Sequence, residues 1–200
     1  MTDGRRRILN AARALFGRGG FDRTSVRDIA ERADVDKALV FYHFDTKEEL
    51  FATVLEEYFE AHHAALHDAW QASGSLRDRL HGVVDAYVDF IVEHHAWPRL
   101  IQQISSTRHS TFFPIVQQGF IPVIRWADDA LSEVTDDSGP RSAYHVYQTM
   151  AGAIVHHFTH APIFAAIWDE TPFSSHHLEE RRAHLHWLVD TLLDALQTPQ

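Results

Sequence analysis

The sequence contains no cysteine and only two lysines, and these absences limit the chemistry open to it. Without cysteine there is no disulfide, no thiolate nucleophile and no cysteine ligand for a metal, which argues against a small secreted disulfide-bonded domain. No run approaches the roughly 20 apolar residues of a membrane-spanning helix. The apolar run after the N-terminal arginines is interrupted by Arg13, and no small-residue cleavage site follows it. We therefore expect a soluble, cytoplasmic protein that does not enter a membrane.

Positive charge is scarce and unevenly distributed. The 200 residues carry a formal net charge of −10. Residues 1–47, which include both Lys37 and Lys47, hold ten Lys/Arg against seven Asp/Glu, whereas the remainder holds eight against twenty-one. A chain with a cationic end and an anionic body is oriented by a polyanion, basic end first. Duplex DNA is therefore the first partner to consider.

Helical periodicity recurs along the chain, and no strand pattern of alternating apolar residues stands out. Several helix starts carry capping signals, in which a Ser, Thr or Asp side chain binds free backbone N–H groups of the first turn. These signals are the pairs Ser25/Asp28, Thr46/Glu49 and Ser75/Asp78, with a single candidate cap at Asp36.

Prolines and glycines add predicted breaks. We expect Pro98, Pro114 and Pro122 to divide their region into short helices, Pro140 to lie in the first turn of the next helix, and Pro162 to end that helix. The resulting prediction is an all-α fold of about nine or ten helices, with a small N-terminal unit continuous with a larger bundle.

Residues 24–43 have the spacing of a helix-turn-helix. Ala30 is the small residue where the two helices cross, and Asp34 occupies a turn position where glycine is usual but Asp tolerates a left-handed backbone. This geometry places a recognition helix in the major groove of DNA. The predicted buried anchors are Ile29, Ala33, Val35 and Val40. The residues predicted to face outward are Lys37, Ala38, Leu39, Phe41, Tyr42 and His43.

Four motifs occur in order near the N-terminus: GxxGF from Gly17 to Phe21, then TSVRDIA, DKALVFYHF and TKEEL. Over roughly the first 55 residues the chain thereby resembles the DNA-binding domain of the TetR family of one-component bacterial repressors. The resemblance implies a three-helix DNA-binding domain at 1–47, continuous with an effector-binding and dimerisation domain at 48–200. It also implies a ligand-responsive, homodimeric repressor that leaves its operator when a small lipophilic or aromatic effector binds.

The same resemblance assigns roles to individual N-terminal residues. Arg27 and Lys37 are expected to reach base edges, where cationic donors suit guanine acceptors. Apolar contacts with thymine methyl groups are expected from Ala38, Leu39 and Phe41, so that sequence recognition relies partly on DNA shape. Phosphate contacts are expected from Thr24, Ser25, Tyr42, His43 and Lys47.

In the larger domain the resemblance implies an effector cavity among the middle helices, apolar with a few polar groups. The predicted polar contacts are His62, Gln102, Gln117, Tyr147 and His156. The predicted apolar contacts are Phe90, Phe112, Phe113, Phe120 and Ala151. Ordinary core packing is the alternative fate of these aromatic residues.

Dimerisation is expected through the helices near residues 140–160 and 176–196, because both have wide apolar surfaces and the resemblance pairs them with their copies. Gly152 and its neighbouring alanines would allow close approach of the helices. A two-fold dimer would present two recognition helices to successive major grooves, so the operator should be a near-palindrome.

Sixteen histidines keep a second interpretation open. The pairs His63/His67 and His156/His160 have the i, i+4 spacing that places two imidazoles on one helical face, which would suit a metal- or pH-responsive regulator. A zinc site needs three or four ligands, and we expect no metal and no cofactor. An all-α enzyme is a third alternative, but the sequence lacks a nucleophile elbow, a phosphate loop and a metalloprotease helix.

Overall fold

The computed structural model describes residues 3–107, 110–168 and 170–198. Over these residues the fold is all-α, as predicted, with ten helices and no named strand. The helices are α1 Asp3–Gly19, α2 Val26–Ala33, α3 Lys37–His43, α4 Lys47–Trp70, α5 Leu76–Glu93, α6 Trp97–Ser106, α7 Phe113–Leu131, α8 Ala143–Thr159, α9 Ala161–Trp168 and α10 Ser175–Gln197.

Capping side chains fix the starts of α2 and α5. Ser25 and Ser75 each accept a hydrogen bond from the third residue of the following helix, and the aspartate there accepts one from the serine backbone, so both predicted capping boxes are confirmed. At α4 the Oγ1 atom of Thr46 accepts from the Glu49 N–H at 3.0 Å. The Glu49 carboxylate accepts a hydrogen bond from the backbone N–H of Asp45 at 2.7 Å.

Asp36 is correctly placed at the N-cap of α3, but its side chain makes no capping hydrogen bond. Asp36 therefore occupies the predicted N-cap position without making a capping hydrogen bond. The backbone of Asp36 is extended, as an N-cap requires.

The prolines follow the prediction in part. Pro98, Pro114 and Pro162 each occupy the second position of a helix, where the missing N–H costs nothing, and α8 ends at Thr159 before Pro162. Pro122, however, lies inside α7, so the predicted break there is wrong. Its exposed position lets water solvate the carbonyl that loses its partner, while Val123 beside it is buried.

The prediction for Pro140 is also wrong, because α8 begins later, at Ala143. Pro140 lies instead in a turn that precedes the helix. The backbone N–H of Asp136 donates to the Arg141 carbonyl at 3.3 Å, and that of Ser142 donates to the Gly139 carbonyl at 3.2 Å. This turn uses the residues that we expected to form the first helical turn.

The described residues form two compact units. The first contains those up to Glu60 together with Arg99–Gly119, and the second contains Ala61–Pro98 together with those from Phe120 onward. The predicted functional boundary between 1–47 and 48–200 is a different division and stays a prediction. No single described helix is long and apolar enough to cross a membrane; α8 and α9 pass that test jointly but are bent by 62°.

Each unit has its own buried contacts. In the first, the Phe112 ring lies 4.9 Å from that of Phe21 and 4.6 Å from that of Phe51. Gly119 of α7 lies so close to the Phe59 ring that an added Cβ would overlap it. The core of the second unit joins α5, α8 and α10 through Val84, Val88, Ile91, Ile154, Phe158, Leu185, Val189 and Leu193.

Candidate nucleic-acid interface and ligand cavity

The packing of α2 against α3 follows the helix-turn-helix pattern. Ile29, Ala30, Ala33 and Val40 are buried between the helices. Asp34 adopts φ 52° and ψ 55°, and its N–H points to the carbonyls that end α2. The predicted left-handed turn is therefore confirmed, with aspartate in place of glycine.

One face of α3 is free of the core. Lys37, Ala38, Phe41 and Tyr42 are exposed, and the Tyr42 side chain is 80% accessible. The Lys37 ammonium lies 5.5 Å from the centre of the Phe41 ring. Two exposed aromatics beside a cation contribute little to folding, and such a surface is typical of a binding site.

Leu39 and His43 occupy the side of α3 that faces α1. A Cβ added to Gly4 would lie 3.2 Å from Leu39 Cδ2 and 3.8 Å from His43 Nε2. Both side chains are half-buried. They therefore contribute to the contact between α1 and α3, although we predicted that they would face DNA.

The start of α2 and the loop before it differ in exposure. Thr24 is buried, and its hydroxyl donates to the carbonyl of Gly20 at 2.8 Å. Ser25 is exposed and uses its hydroxyl in the cap with Asp28. Arg27 is exposed and paired with Glu31 at 2.8 Å, an ion pair that water and salt weaken.

Lys47, at the start of α4, is turned inward. Its ammonium donates to the carbonyls of Phe21 and Thr24 at 2.9 and 3.0 Å and lies 4.0 Å from the centre of the Phe21 ring. Two of the three ammonium hydrogens are thus committed to the loop between α1 and α2. Lys47 therefore fixes that loop against α4, and one N–H remains for another acceptor.

The second unit contains a cavity of about 90 Å³ between α4, α5, α7, α8 and α10. None of its described lining residues is Asp, Glu, Lys or Arg. Aliphatic side chains predominate, and the polar atoms come from four residues. These are His62, Tyr87, Trp126 and Tyr147.

The His62 imidazole is the most buried polar group of this cavity. It is 3% exposed, and its ring lies 4.9 Å from that of Tyr87 and 5.2 Å from that of Phe90. Neither ring nitrogen has a hydrogen-bond partner within the described chain. Burial lowers the pKa of His62 to about 4, and the nearby His63 and His94 contribute to this shift. The ring is therefore neutral at physiological pH.

Trp126 separates the cavity from a neighbouring groove. Its Nε1–H is buried and has no hydrogen-bond partner among the described residues. Its ring packs edge-on against Trp70 at 5.3 Å, and the guanidinium of Arg79 lies 4.2 Å from the centre of the Trp70 ring. The groove has a volume of about 170 Å³ and shares Trp126, Leu66 and Val123 with the cavity.

Comparison with known proteins identifies the family. The fold superposes on the fatty acid degradation regulator FadR of Bacillus halodurans with a TM-score of 0.74, over 100% of this chain and 99% of that one, at 15% identity. Residues 8–54 match the family model described as bacterial regulatory proteins, tetR family. Residues 8–54 therefore form a DNA-binding domain of the TetR family. Its relatives are transcriptional regulators and not enzymes.

Among the curated relatives, the transcriptional activator FasR of Mycolicibacterium smegmatis is 32% identical over 97 residues, which is 48% of this chain and 44% of that protein. The transcriptional repressor KstR2 of Mycobacterium tuberculosis is 32% identical over 89 residues, 44% of each chain. The chain thus spans less than half the length of these two relatives in the matched region.

Of the predicted DNA-binding residues, Ser25, Arg27, Lys37, Ala38, Phe41 and Tyr42 are exposed together on α2 and α3 or at their start. Thr24 is buried, and Leu39, His43 and Lys47 are half-buried. Their packing inside the unit was not evident from the sequence. All ten contacts with DNA stay predictions.

Three of the ten predicted effector residues line the cavity, namely His62, Tyr147 and Ala151. The structure does not bring the other seven to it. Phe112, Phe113, Gln102 and Gln117 belong to the first unit, where Phe112 is a core residue and both glutamines are exposed.

The remaining three predicted effector residues lie in the second unit but outside the cavity lining. Phe90 is buried against His94, with ring centres 4.2 Å apart. His156 is exposed and stacks on His160 at 4.1 Å, and Phe120 is half-buried.

The missed cavity residues include Trp126, Ala127 and Ala130 of α7. Together with Val123 they form an i, i+3, i+4, i+7 stripe, which is a signal that the sequence contained. The assumption that Pro122 ends a helix concealed it, because the stripe begins directly after that proline.

Several histidines of the described residues lie in ring contact as pairs. Within the described ranges no three His, Cys, Asp or Glu side chains are grouped so as to hold a metal ion. A pair that the sequence did not suggest joins α5 to α10: His81 and His186 stack at 4.2 Å. Their Nε2 atoms lie 2.8 Å from Asp190 and 3.1 Å from Asp85, respectively.

Proposed function

We propose that this chain is a ligand-responsive transcriptional regulator that binds operator DNA through α3. The observation that carries the proposal is the exposed face of Lys37, Ala38, Phe41 and Tyr42 on the second helix of the helix-turn-helix. A short helix with a cation and adaptable aromatic groups suits base edges, thymine methyl groups and the phosphates beside them. Arg27 adds a further exposed cation on α2.

The proposed active form is a homodimer joined through α8 and α10. Large apolar side chains are exposed on both helices, with Tyr144 52% and Trp187 59% accessible. Aromatic residues are enriched at interface cores. Gly152 has open space where a Cβ would lie, which permits close approach of a second helix. A two-fold dimer of this kind calls for a near-palindromic operator.

The effector of the proposed regulator is a small lipophilic or aromatic molecule bound in the cavity of the second unit. Its binding would lower affinity for the operator, and the operator would lower affinity for the effector by the same factor. Repression with release by the effector is our proposal for the direction of control. The two curated relatives carry opposite names, one activator and one repressor.

The test begins with selection of binding sites from random duplexes by the purified full-length protein, followed by affinity measurements on the selected site and a scrambled one. Lys37→Ala should cost about tenfold in affinity for the selected site and much less on the scrambled one, since a base contact contributes roughly 1–3 kcal/mol. Arg125→Ala is the matched control, because Arg125 is also an exposed cation but lies on α7 of the second unit.

Failure to enrich any sequence, or an equal loss for both variants, would contradict DNA recognition by α3. Sedimentation of Trp187→Glu against the unaltered chain tests the dimer separately. The charged side chain should shift the protein toward monomer if Trp187 lies in the interface, because burial of an unpaired carboxylate is costly.

A further inference from the structure

We infer that the cavity takes an uncharged, lipid-like ligand with one hydroxyl or carbonyl group, held by a hydrogen bond to the His62 imidazole or to the Trp126 indole N–H. This inference rests on the proposed effector-binding role of the second unit and names the class of ligand. Its support comes from three features of the cavity: the absence of charge in its described lining, its unsatisfied polar atoms and its aromatic surroundings.

The lining residues carry no formal charge, which disfavours a charged ligand. A carboxylate placed there would leave water without gaining a lysine or arginine, and an ammonium group would find no carboxylate. An ion buried without a partner is penalised by several kcal/mol even after relaxation of the protein. Neutral molecules avoid this cost and still gain from burial of their apolar surface.

The two unsatisfied groups specify what the ligand should present. The Trp126 Nε1–H is a donor alone, so it calls for an acceptor oxygen. Neutral His62 offers one donor and one acceptor nitrogen, and the chain supplies neither with a partner. A ligand hydroxyl group can both donate and accept a hydrogen bond, whereas a ligand carbonyl oxygen can only accept one from a protein N–H. Buried polar groups are rarely left without partners, so each of these two groups marks a position in the lining where the polar end of a ligand can bind.

Aromatic side chains surround the polar end. The His62 ring contacts Tyr87, and Trp126 is held by Trp70, so neither group can turn freely toward water. The rest of the lining is aliphatic, contributed largely by α5, α8 and α10. A polar tip against this enclosed apolar surface selects a molecule with a single oxygen function and an apolar remainder.

The test compares 1-octanol with octanoate, which have the same chain length and differ in charge. Calorimetric titration of the full-length protein near neutral pH should show binding of 1-octanol, with octanoate weaker by about tenfold or more. Substitutions His62→Phe and Trp126→Phe keep an aromatic ring in place. At least one of them should weaken the binding of 1-octanol by about three- to tenfold, the range expected for one net hydrogen bond.

Trp168→Phe is the matched control, because it makes the same replacement at an exposed tryptophan of α9, outside the cavity lining and outside the two helices of the proposed dimer interface. It should leave the affinity for 1-octanol unchanged. His62→Phe should at the same time unfold at equal or higher denaturant concentration than the unaltered chain, because it removes an unsatisfied buried group. If His62→Phe binds 1-octanol more weakly but is as stable as the unaltered chain, the weaker binding reflects a lost contact with the ligand and not a damaged fold.

Three results would overturn the inference. These are octanoate binding as tightly as 1-octanol, 1-octanol affinity that survives both substitutions unchanged, and no binding of either molecule. The proposed effector role is tested apart from the ligand class, on the selected duplex. If 1-octanol binds as described but leaves affinity for that duplex unchanged, the ligand class stands and the effector role fails.

Discussion

The neutral, buried His62 should make the second unit sensitive to acid, and its contribution can be estimated. Histidine in an unfolded chain has a pKa near 6.5, whereas burial lowers that of folded His62 to about 4. The unfolded state therefore binds more protons between these two values. Stability contributed by His62 is present above pH 6.5 and is lost as the pH falls toward the folded pKa.

The magnitude follows from the difference between the two pKa values. Between about pH 7 and pH 5 the free energy of unfolding should fall by about 2 kcal/mol through His62 alone, and by about 3 kcal/mol in total once the pH is below the folded pKa. His62→Phe should abolish this part of the loss of unfolding free energy on acidification, because phenylalanine binds no proton. The variant should also gain roughly 1 kcal/mol at neutral pH, since two unsatisfied nitrogens are removed.

The assay is urea unfolding followed by circular dichroism at both pH values, at fixed protein concentration because dimerisation would add stability. The quantity of interest is the difference between the unaltered chain and His62→Phe in their loss of unfolding free energy. His67→Gln, an exposed histidine further along α4, should behave like the unaltered chain. If His62→Phe loses as much stability as the unaltered chain on acidification, the argument from burial is wrong.

Two further substitutions test the packing of the first unit. Lys47→Met should lower the free energy of unfolding by about 2 kcal/mol, because two charge-assisted hydrogen bonds to carbonyls are lost. Urea unfolding checks this, with the exposed neighbour variant Glu48→Gln as the control. Equal stability of the two variants would contradict the role of Lys47 in fixing the loop between α1 and α2 against α4. Gly119→Ala should destabilise by about 1–3 kcal/mol, because a methyl group would overlap the buried Phe59 ring. Gly82→Ala on α5, whose added Cβ would lie an ordinary 3.7 Å from the Ala69 carbonyl oxygen, should raise helix stability by up to about 1 kcal/mol, so a comparable loss in both alanine variants would contradict the packing argument.

Local signals predicted the capping boxes and the turn of the helix-turn-helix well, because these features depend on local chemistry. The Ser25 and Ser75 capping boxes and the turn at Asp34 each involve residues within a few positions of one another, and all three are confirmed. Pro122 was misjudged because its tolerance depends on solvent exposure and on the burial of Val123 beside it. Neither property can be read from the proline itself.

The cavity was harder to predict because its lining comes from five helices that are far apart in the chain. Composition suggested an aromatic lining, whereas aliphatic side chains predominate in the cavity, and composition could not separate core residues from cavity residues. Phe112 packs against Phe21 and Phe51 in the first unit, whereas Tyr147 faces the cavity in the second. The inward turn of Lys47 depends equally on a distant loop, which sequence spacing does not reveal.

The scarcity of lysine, combined with the commitment of Lys47 to two carbonyl groups, has a consequence for handling the protein. Lys37 is the exposed one of the two lysines, so reagents that acylate side-chain amines should react with it in preference to Lys47. A sensor chip or dye attached through a lysine side chain would therefore be tethered through α3. For the same reason, protection of Lys37 from acetylation by a bound duplex would give a footprint of α3 at the resolution of a single residue.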